Sequence, residues 1–201
     1  VQKFPLYDGV VIGGGIIGLA TVHALSFRFP NRKFLLLEKE PELGTHQTGH
    51  NSGVIHSGVY YRPGSLKARM CREGAEALIL FCREHGIPHK ICGKVIVATR
   101  ESELPALQTL YERGKTNGIL NLSLIGPERL REIEPHAEGL KALHVPGTAT
   151  VDFRLVADTF ARLARENGTK IQTSCRIERF RFQESEWILE TSEGVFRTKS
   201  I

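Results

Sequence analysis

The chain has 201 residues, 41% hydrophobic and 24% charged, with 27 Lys+Arg against 22 Asp+Glu and a net charge of +5. That length can bury a real core, the composition is that of a globular protein, and no apolar run is long enough to span a bilayer. The basic excess is spread along the chain without a basic, aromatic-interleaved run, which argues against nucleic-acid binding and leaves a weak attraction to anionic membrane surfaces or acidic substrates.

Cys71, Cys82, Cys92 and Cys175 show neither C-x-x-C nor zinc spacing, and the eight histidines contain no H-E-x-x-H. They read as free thiols of a reducing compartment, Cys71 and Cys82 packed on one helix, and no metal site is expected. Val1 to Pro5 carries no signal-peptide pattern, and the missing initial Met suggests a trimmed upstream piece.

Taken in chain order, Val10-Val11-Ile12 is a short β-branched run suited to a strand buried on both faces. Gly13, Gly15 and Gly18 follow as G-x-G-x-x-G, then Ile16, Ile17, Leu19, Ala20, Val22 and Leu25 at roughly helical spacing. Glycines between a strand and a helix are the context in which this motif binds a dinucleotide. Gly13 permits the tight turn, Gly15 lets a pyrophosphate approach the backbone, and Gly18 lets the helix pack on the strand. The helix N-terminus presents N–H groups and a positive dipole end to phosphate. A second strand over Lys33 to Leu37 ends in Glu38, 20 residues beyond Gly18, where a ribose-binding carboxylate is expected. Its hydrogen bonds to ribose hydroxyls would contribute about 1.5–3 kcal/mol, and its charge would repel the 2′-phosphate of NADP.

Thr45 to Gly58 is too rich in glycine and small polar residues for an ordinary helix or strand. Asn51, Ser52 and Gly53 suit close approach of the backbone to a second part of a cofactor, which favours FAD over NAD. Ser65 to Gly86 predicts a long helix capped by Ser65, with Leu66, Met70, Ala77, Leu80 and Phe81 as its apolar side. Then come a strand over Ile91 to Thr99, a helix over Leu104 to Asn117, a short strand over Leu122 to Ile125 and a short helix over Pro127 to Ile133. Leu140 to Val145 and Thr148 to Val151 read as extended, broken at Pro146-Gly147. Asp152 is expected to cap a helix over Phe153 to Asn167, with Phe153, Val156, Ala157, Phe160, Ala161 and Leu163 on its apolar side. Lys170 to Thr173, Cys175 to Gln183, Trp187 to Thr191 and Val195 to Lys199 predict strands, the last three forming a β-meander.

The expected architecture is α/β: a Rossmann-like FAD-binding domain with a β-meander, interrupted by part of an α+β substrate domain. Its first segment is placed at residues 1–86, the start of the substrate domain at 87–151 and the return at 152–201. A doubly wound sheet expects a further strand after the meander, so truncation at 201 is expected.

Tyr7 to Gly18, Leu36-Leu37-Glu38-Lys39, the selective stretch Gly49 to Tyr61, Pro63 to Ala68, Cys92-Gly93-Lys94 and Val151-Asp152-Phe153 together resemble the FAD-dependent oxidoreductases of the D-amino-acid-oxidase-like group. Within it the likeness is strongest to the L-2-hydroxyglutarate dehydrogenase and oxidase branch, whose members are about twice as long. The resemblance implies oxidation of (S)-2-hydroxyglutarate to 2-oxoglutarate, with hydride passing to flavin N5 and the hydroxyl proton to a base near neutrality, which suits histidine. His56 is the catalytic candidate. Gly13, Gly15, Ile16 and Gly18 would hold the pyrophosphate, Glu38 the adenosine ribose with Lys39 beside it, and Thr48, Asn51, Ser52 and Gly53 would line the pyrophosphate and flavin. The backbone of Ile177 would face the adenine. His50 sits where some amine-oxidising relatives attach FAD covalently, but noncovalent FAD is expected here. Tyr60, Tyr61, Arg62 and Lys67 are the candidates to meet a dicarboxylate.

The resemblance leaves open the electron acceptor (quinone, electron-transfer flavoprotein or oxygen). It implies a cytoplasmic or inner-membrane-associated protein in bacteria and a mitochondrial one in eukaryotes. Two other readings stay open. One is a related flavin oxidase of amino acids, sarcosine or glycerol 3-phosphate; the other is a nucleotide-binding fragment without catalysis.

Overall fold

The computed structural model describes residues 5–201, so Val1 to Phe4 lie outside the described residues. In chain order the elements are β1 (Leu6–Tyr7), β2 (Gly9–Ile12), α1 (Ile16–Arg28), β3 (Phe34–Leu37), β4 (Val54–Ile55), α2 (Leu66–Glu84), β5 (His89–Ile91) and β6 (Lys94–Ala98). They continue with α3 (Leu104–Thr116), β7 (Ser123–Ile125), α4 (Pro127–Ile133), β8 (Lys141–Val145), β9 (Ala149–Val151), α5 (Phe153–Glu166) and β10 (Lys170–Gln172). The chain then forms β11 (Ile177–Gln183), β12 (Glu186–Thr191) and β13 (Gly194–Thr198). It divides into two compact units, one of residues 1–52 with 153–201 and the other of residues 53–152. The first division therefore falls at Ser52–Gly53, whereas the sequence reading puts it near residue 86. The reason is α2, whose ties run to the 56–58 loop: the Cys71 thiol donates to the His56 carbonyl at 3.3 Å.

The first unit is built on a parallel sheet of order β10-β3-β2. All four residues of β3 are buried, as a central strand covered on both faces requires. Strand alternation then assigns its two faces. Leu35 and Leu37 join Val10, Tyr7, Cys175, Leu189 and Phe196 under the meander, while Phe34 and Leu36 pack with Leu19 and Val22 of α1 and Ala157, Ala161 and Ala164 of α5. Each fully buried leucine contributes about 1.5–3 kcal/mol. The predicted meander forms as the antiparallel run β11-β12-β13, and β1, which the sequence reading did not separate from β2, adds parallel to β13. Beyond β13, the Ser200 carbonyl accepts from Val10 N–H at 3.0 Å, so the last residues run beside β2.

The second unit holds two antiparallel sheets, β4-β9-β5 and β6-β8-β7. Val59, Ala98, Leu107, Leu143 and Val145 form a core between α3 and the latter sheet. The single strand expected over Ile91 to Thr99 is two, parted at Gly93, whose φ of 72° turns the chain. Ser65 does cap α2, accepting from Ala68 N–H. Its predicted apolar side is misplaced, however. Leu66, Met70 and Leu80 are exposed, while Ala68 and Cys82 are buried. Two apolar stripes of similar spacing compete on this helix, and the one with small residues is the one that packs. Of the two cysteines assigned to packing there, Cys82 is buried and Cys71 is half-buried.

Candidate functional site

The glycine turn has four glycines in distinct environments. Gly13 has φ 105°, a conformation that side chains disfavour. A Cβ on Gly18 would lie 2.0 Å from the Gly13 carbonyl oxygen, and one on Gly14 would lie 2.6 Å from a Leu43 methyl. These three are required by the polypeptide itself. Gly15 is different. It is the N-cap of α1 in extended conformation (φ −77°, ψ 172°), and a Cβ there would meet no protein atom closer than Thr48 Oγ1 at 3.5 Å. The fold would accept a side chain at Gly15, so the bare position leaves room for something that is not protein. That is the room a phosphate needs at a helix N-terminus. Ile17 and Ile12, beside the turn, are exposed.

Thr48 is buried, and its hydroxyl accepts from Ile16 N–H at 3.0 Å, standing in for the cap side chain that Gly15 lacks. Glu38 is also buried. Its carboxylate accepts from the N–H groups of Gly14 and Glu40, which fixes it against the turn. A carboxylate has about four acceptor positions, so it keeps capacity for two hydroxyl groups. The G-x-G-x-x-G pattern gives Gly14 no task; its signal is that it is the middle glycine of the Gly13-Gly14-Gly15 run. Lys39 is exposed and pairs with Glu40 at 3.4 Å.

Ile177 opens β11 and packs against the core under the meander. Just before it, Cys175 N–H donates to the Glu38 carbonyl and Ser174 N–H to that of Glu40, so the structure brings the start of β11 to the end of β3. His50 Nδ1 donates to the His46 carbonyl, and Asn51 Nδ2 donates to the carbonyls of Gln47 and Thr48. Both side chains thus hold the turns of the 46–51 loop, while Ser52 is exposed.

The other candidates lie in the second unit. Gly53 has φ 67°, and its carbonyl accepts from Val151 N–H at 2.8 Å. His56 is exposed, and its ring makes no hydrogen bond among the described residues. Tyr60 and Tyr61 are 51% and 38% exposed, and Arg62 and Lys67 are also exposed. Their loop is tightly held from elsewhere. Arg113 Nη1 donates to the Tyr60 carbonyl and Asn117 Nδ2 to that of Tyr61, both at 2.9 Å. Gly114, between them on α3, lies against Val59, where a Cβ would come within 3.2 Å. Lys94 Nζ sits 4.5 Å from the Tyr60 ring centroid, and burial holds its pKa below the usual lysine range. Burial likewise raises the Cys71 thiol. Arg113, Asn117 and Cys71 lie in no motif, and Lys94 ends the Cys92-Gly93-Lys94 match with no role attached to it, so only their contacts reveal what they do. Among the described residues no three His, Cys, Asp or Glu are grouped to hold a metal, and no helix is long and apolar enough to cross a membrane.

A parallel sheet, a glycine turn into a helix and a buried acid at the end of the second strand define a dinucleotide-binding α/β oxidoreductase domain with a β-meander. The chain belongs to the FAD dependent oxidoreductase (DAO) family, whose model matches residues 8–200. It is 46% identical over 192 residues to an L-2-hydroxyglutarate dehydrogenase of Indibacter alkaliphilus, covering 96% of this chain and 48% of that protein. It is 48% identical over 172 residues to the mitochondrial L-2-hydroxyglutarate dehydrogenase of Homo sapiens, covering 86% of this chain and 37% of that one. Among solved structures, dithionite-reduced L-alpha-glycerophosphate oxidase from Mycoplasma pneumoniae, with FAD bound, matches at TM-score 0.89 and 28% identity, over 97% of this chain and 53% of that one. Glycine oxidase from Geobacillus kaustophilus shares the fold at TM-score 0.87 and 22% identity, over 98% of this chain and 54% of that one. The chain spans less than half the length of the two dehydrogenases.

Proposed function

We propose that this chain is the FAD-binding part of an enzyme that oxidises L-2-hydroxyglutarate to 2-oxoglutarate, with FAD held noncovalently. The observation that carries this reading is the 46–48% identity, over most of the chain, to two dehydrogenases named for that substrate, one bacterial and one human. The bare Gly15 and the buried Glu38 support the cofactor. In this reading Gly13, Gly15, Ile16 and Gly18 offer backbone to the pyrophosphate and Glu38 accepts from the adenosine ribose, with Lys39 beside it. Ile177 lines the adenine side, and Thr48, His50, Asn51, Ser52 and Gly53 shape the strand of backbone laid along the cofactor.

When bound, the flavin supplies a hydride acceptor for the carbinol carbon. The chain's own part is to orient the substrate and take the hydroxyl proton. His56 is assigned that proton, which an imidazole nitrogen accepts near neutral pH, and its ring is exposed and makes no hydrogen bond among the described residues. Tyr60, Tyr61 and Arg62 present two phenols and a guanidinium for a dicarboxylate. Electrons leave to an external acceptor, namely a quinone, an electron-transfer flavoprotein or oxygen. The protein is assigned to mitochondria if eukaryotic, and to the cytoplasm or the inner membrane if bacterial.

The test is turnover of the purified full-length flavoprotein on a panel of (S)-2-hydroxyglutarate, glycerol 3-phosphate, sarcosine and a D-amino acid, with a dye as acceptor. The reading expects 2-hydroxyglutarate to lead by at least ~100-fold in kcat/KM, about 2.7 kcal/mol of transition-state discrimination. A lead for any other substrate removes it. Denaturing the protein should release all flavin into the supernatant; flavin in the pellet would refute noncovalent attachment.

A further inference from the structure

We propose that Lys94, seated on the ring of Tyr60, is the binding point for a carboxylate of an organic-acid substrate. This deepens the proposed function and rests on it for the class of substrate. Lys94 begins β6 directly after the turn at Gly93, whose N–H donates to the Thr148 carbonyl at 2.8 Å, so the base of the side chain is fixed. Its ammonium lies over Tyr60 at 4.5 Å and is half-buried. Other lysines find acids: Lys39 pairs with Glu40, Lys115 with Glu112 and Lys199 with Asp8. Lys94 has no carboxylate within ion-pair distance among the described residues, and burial has already lowered its pKa.

A cation taken partly out of water and given only an aromatic face and a neighbouring thiol is incompletely compensated. An incoming carboxylate supplies the missing charge and a charge-assisted hydrogen bond. The platform is rigid enough to serve. Arg113 and Asn117 hold the backbone of Tyr60 and Tyr61, and Cys71 holds that of His56, so the ring under the Lys94 ammonium and the proton acceptor assigned above share one anchored loop. Arg62, the cation expected from the sequence to meet a dicarboxylate, is exposed and makes no side-chain hydrogen bond or ion pair among the described residues.

The experiment uses the full-length flavoprotein and glutarate, a dicarboxylate that cannot be oxidised at a carbinol. Lys94→Met keeps the aliphatic stem on Tyr60 and removes the charge. Its dissociation constant for glutarate, read from the flavin spectrum, should rise about 10- to 100-fold, as loss of a charge-assisted hydrogen bond predicts, with FAD content and melting temperature unchanged. Lys94→Arg should recover most of the affinity. In the wild type, trinitrobenzenesulfonate should label Lys94 ahead of the exposed lysines, and glutarate should protect it; this arm decides if the Met variant does not fold. Unchanged glutarate affinity in a folded Met variant, or labelling that glutarate leaves untouched, overturns the proposal. Turnover separates the two readings. If the wild type prefers another carboxylic hydroxy acid and the Met variant loses affinity for it, the Lys94 subsite stands and the L-2-hydroxyglutarate assignment falls. If the wild type prefers L-2-hydroxyglutarate and the Met variant matches it, the reverse holds.

Discussion

Two loops carry the chemistry proposed for this chain, and they are held in opposite ways. The turn from Gly13 to Gly18 is fixed by its own backbone: a positive φ at Gly13, a helix pressed against the strand at Gly18, and a carboxylate from Glu38 on Gly14. The loop from His56 to Tyr61 is fixed by side chains from other elements, with Cys71 on α2, Arg113 on α3, Asn117 at the C-terminal cap of α3, and Lys94 on β6. A backbone-built site tolerates few residue types but is recognisable from spacing. A site held by remote side chains leaves the loop's own sequence free to vary and hides its supports.

The contrast is broken most severely at Gly18. Gly18→Val would drive a side chain into the Gly13 carbonyl and should cost about 3 kcal/mol or more, read as loss of soluble protein or a collapsed melting temperature. Gly15→Val, three residues earlier, should leave the melting temperature of the flavin-free protein nearly unchanged yet abolish FAD content, because only the ligand's space is taken. If that variant purified yellow, the pyrophosphate would have to lie elsewhere. Glu38→Gln keeps the shape but loses the charge, and should weaken FAD binding by about 1.5–3 kcal/mol, measured by titration of the apoprotein.

In the second loop, Asn117→Ala should cost about 1 kcal/mol and speed amide exchange at residues 58–61 without changing FAD content. The smallest effect is expected at Asp8. Its hydrogen bond from the Lys199 ammonium, then that from Lys33 N–H, hold its pKa below the usual carboxylate range. A depressed folded pKa gives stability that is present above the unfolded value and lost as pH falls through the folded one. Asp8→Asn should flatten the acid limb of the stability curve slightly below about pH 4 and change little at pH 7.

How much could be read without coordinates follows the same division. The strand, glycine turn, helix, second strand and acid were legible because each rests on local physics: β-branched runs, glycine's backbone freedom and helical spacing. So was the meander, whose turns carry charged and small residues between strands that alternate or cluster β-branched and aromatic residues. Gly14 escaped because the motif assigns tasks to its neighbours. The α2 face was misread because Leu66, Met70 and Leu80 are more hydrophobic than the Ala68 side that packs. Hydrophobicity ranks residues, but which stripe is covered depends on what lies opposite. The chain's division at Ser52 rather than near residue 86 was hidden for a related reason, since nothing in the 53–86 segment announces which sheet it joins.

By itself the sequence determined the dinucleotide turn and its acid, because spacing along two paired strands and the helix between them already brings those groups within reach of each other. Only the tertiary structure decided that Gly15 is spare to the fold while Gly18 is not, and that a half-buried lysine lies on Tyr60. Those facts depend on distances between atoms far apart in the chain, which packing sets and local patterning does not encode.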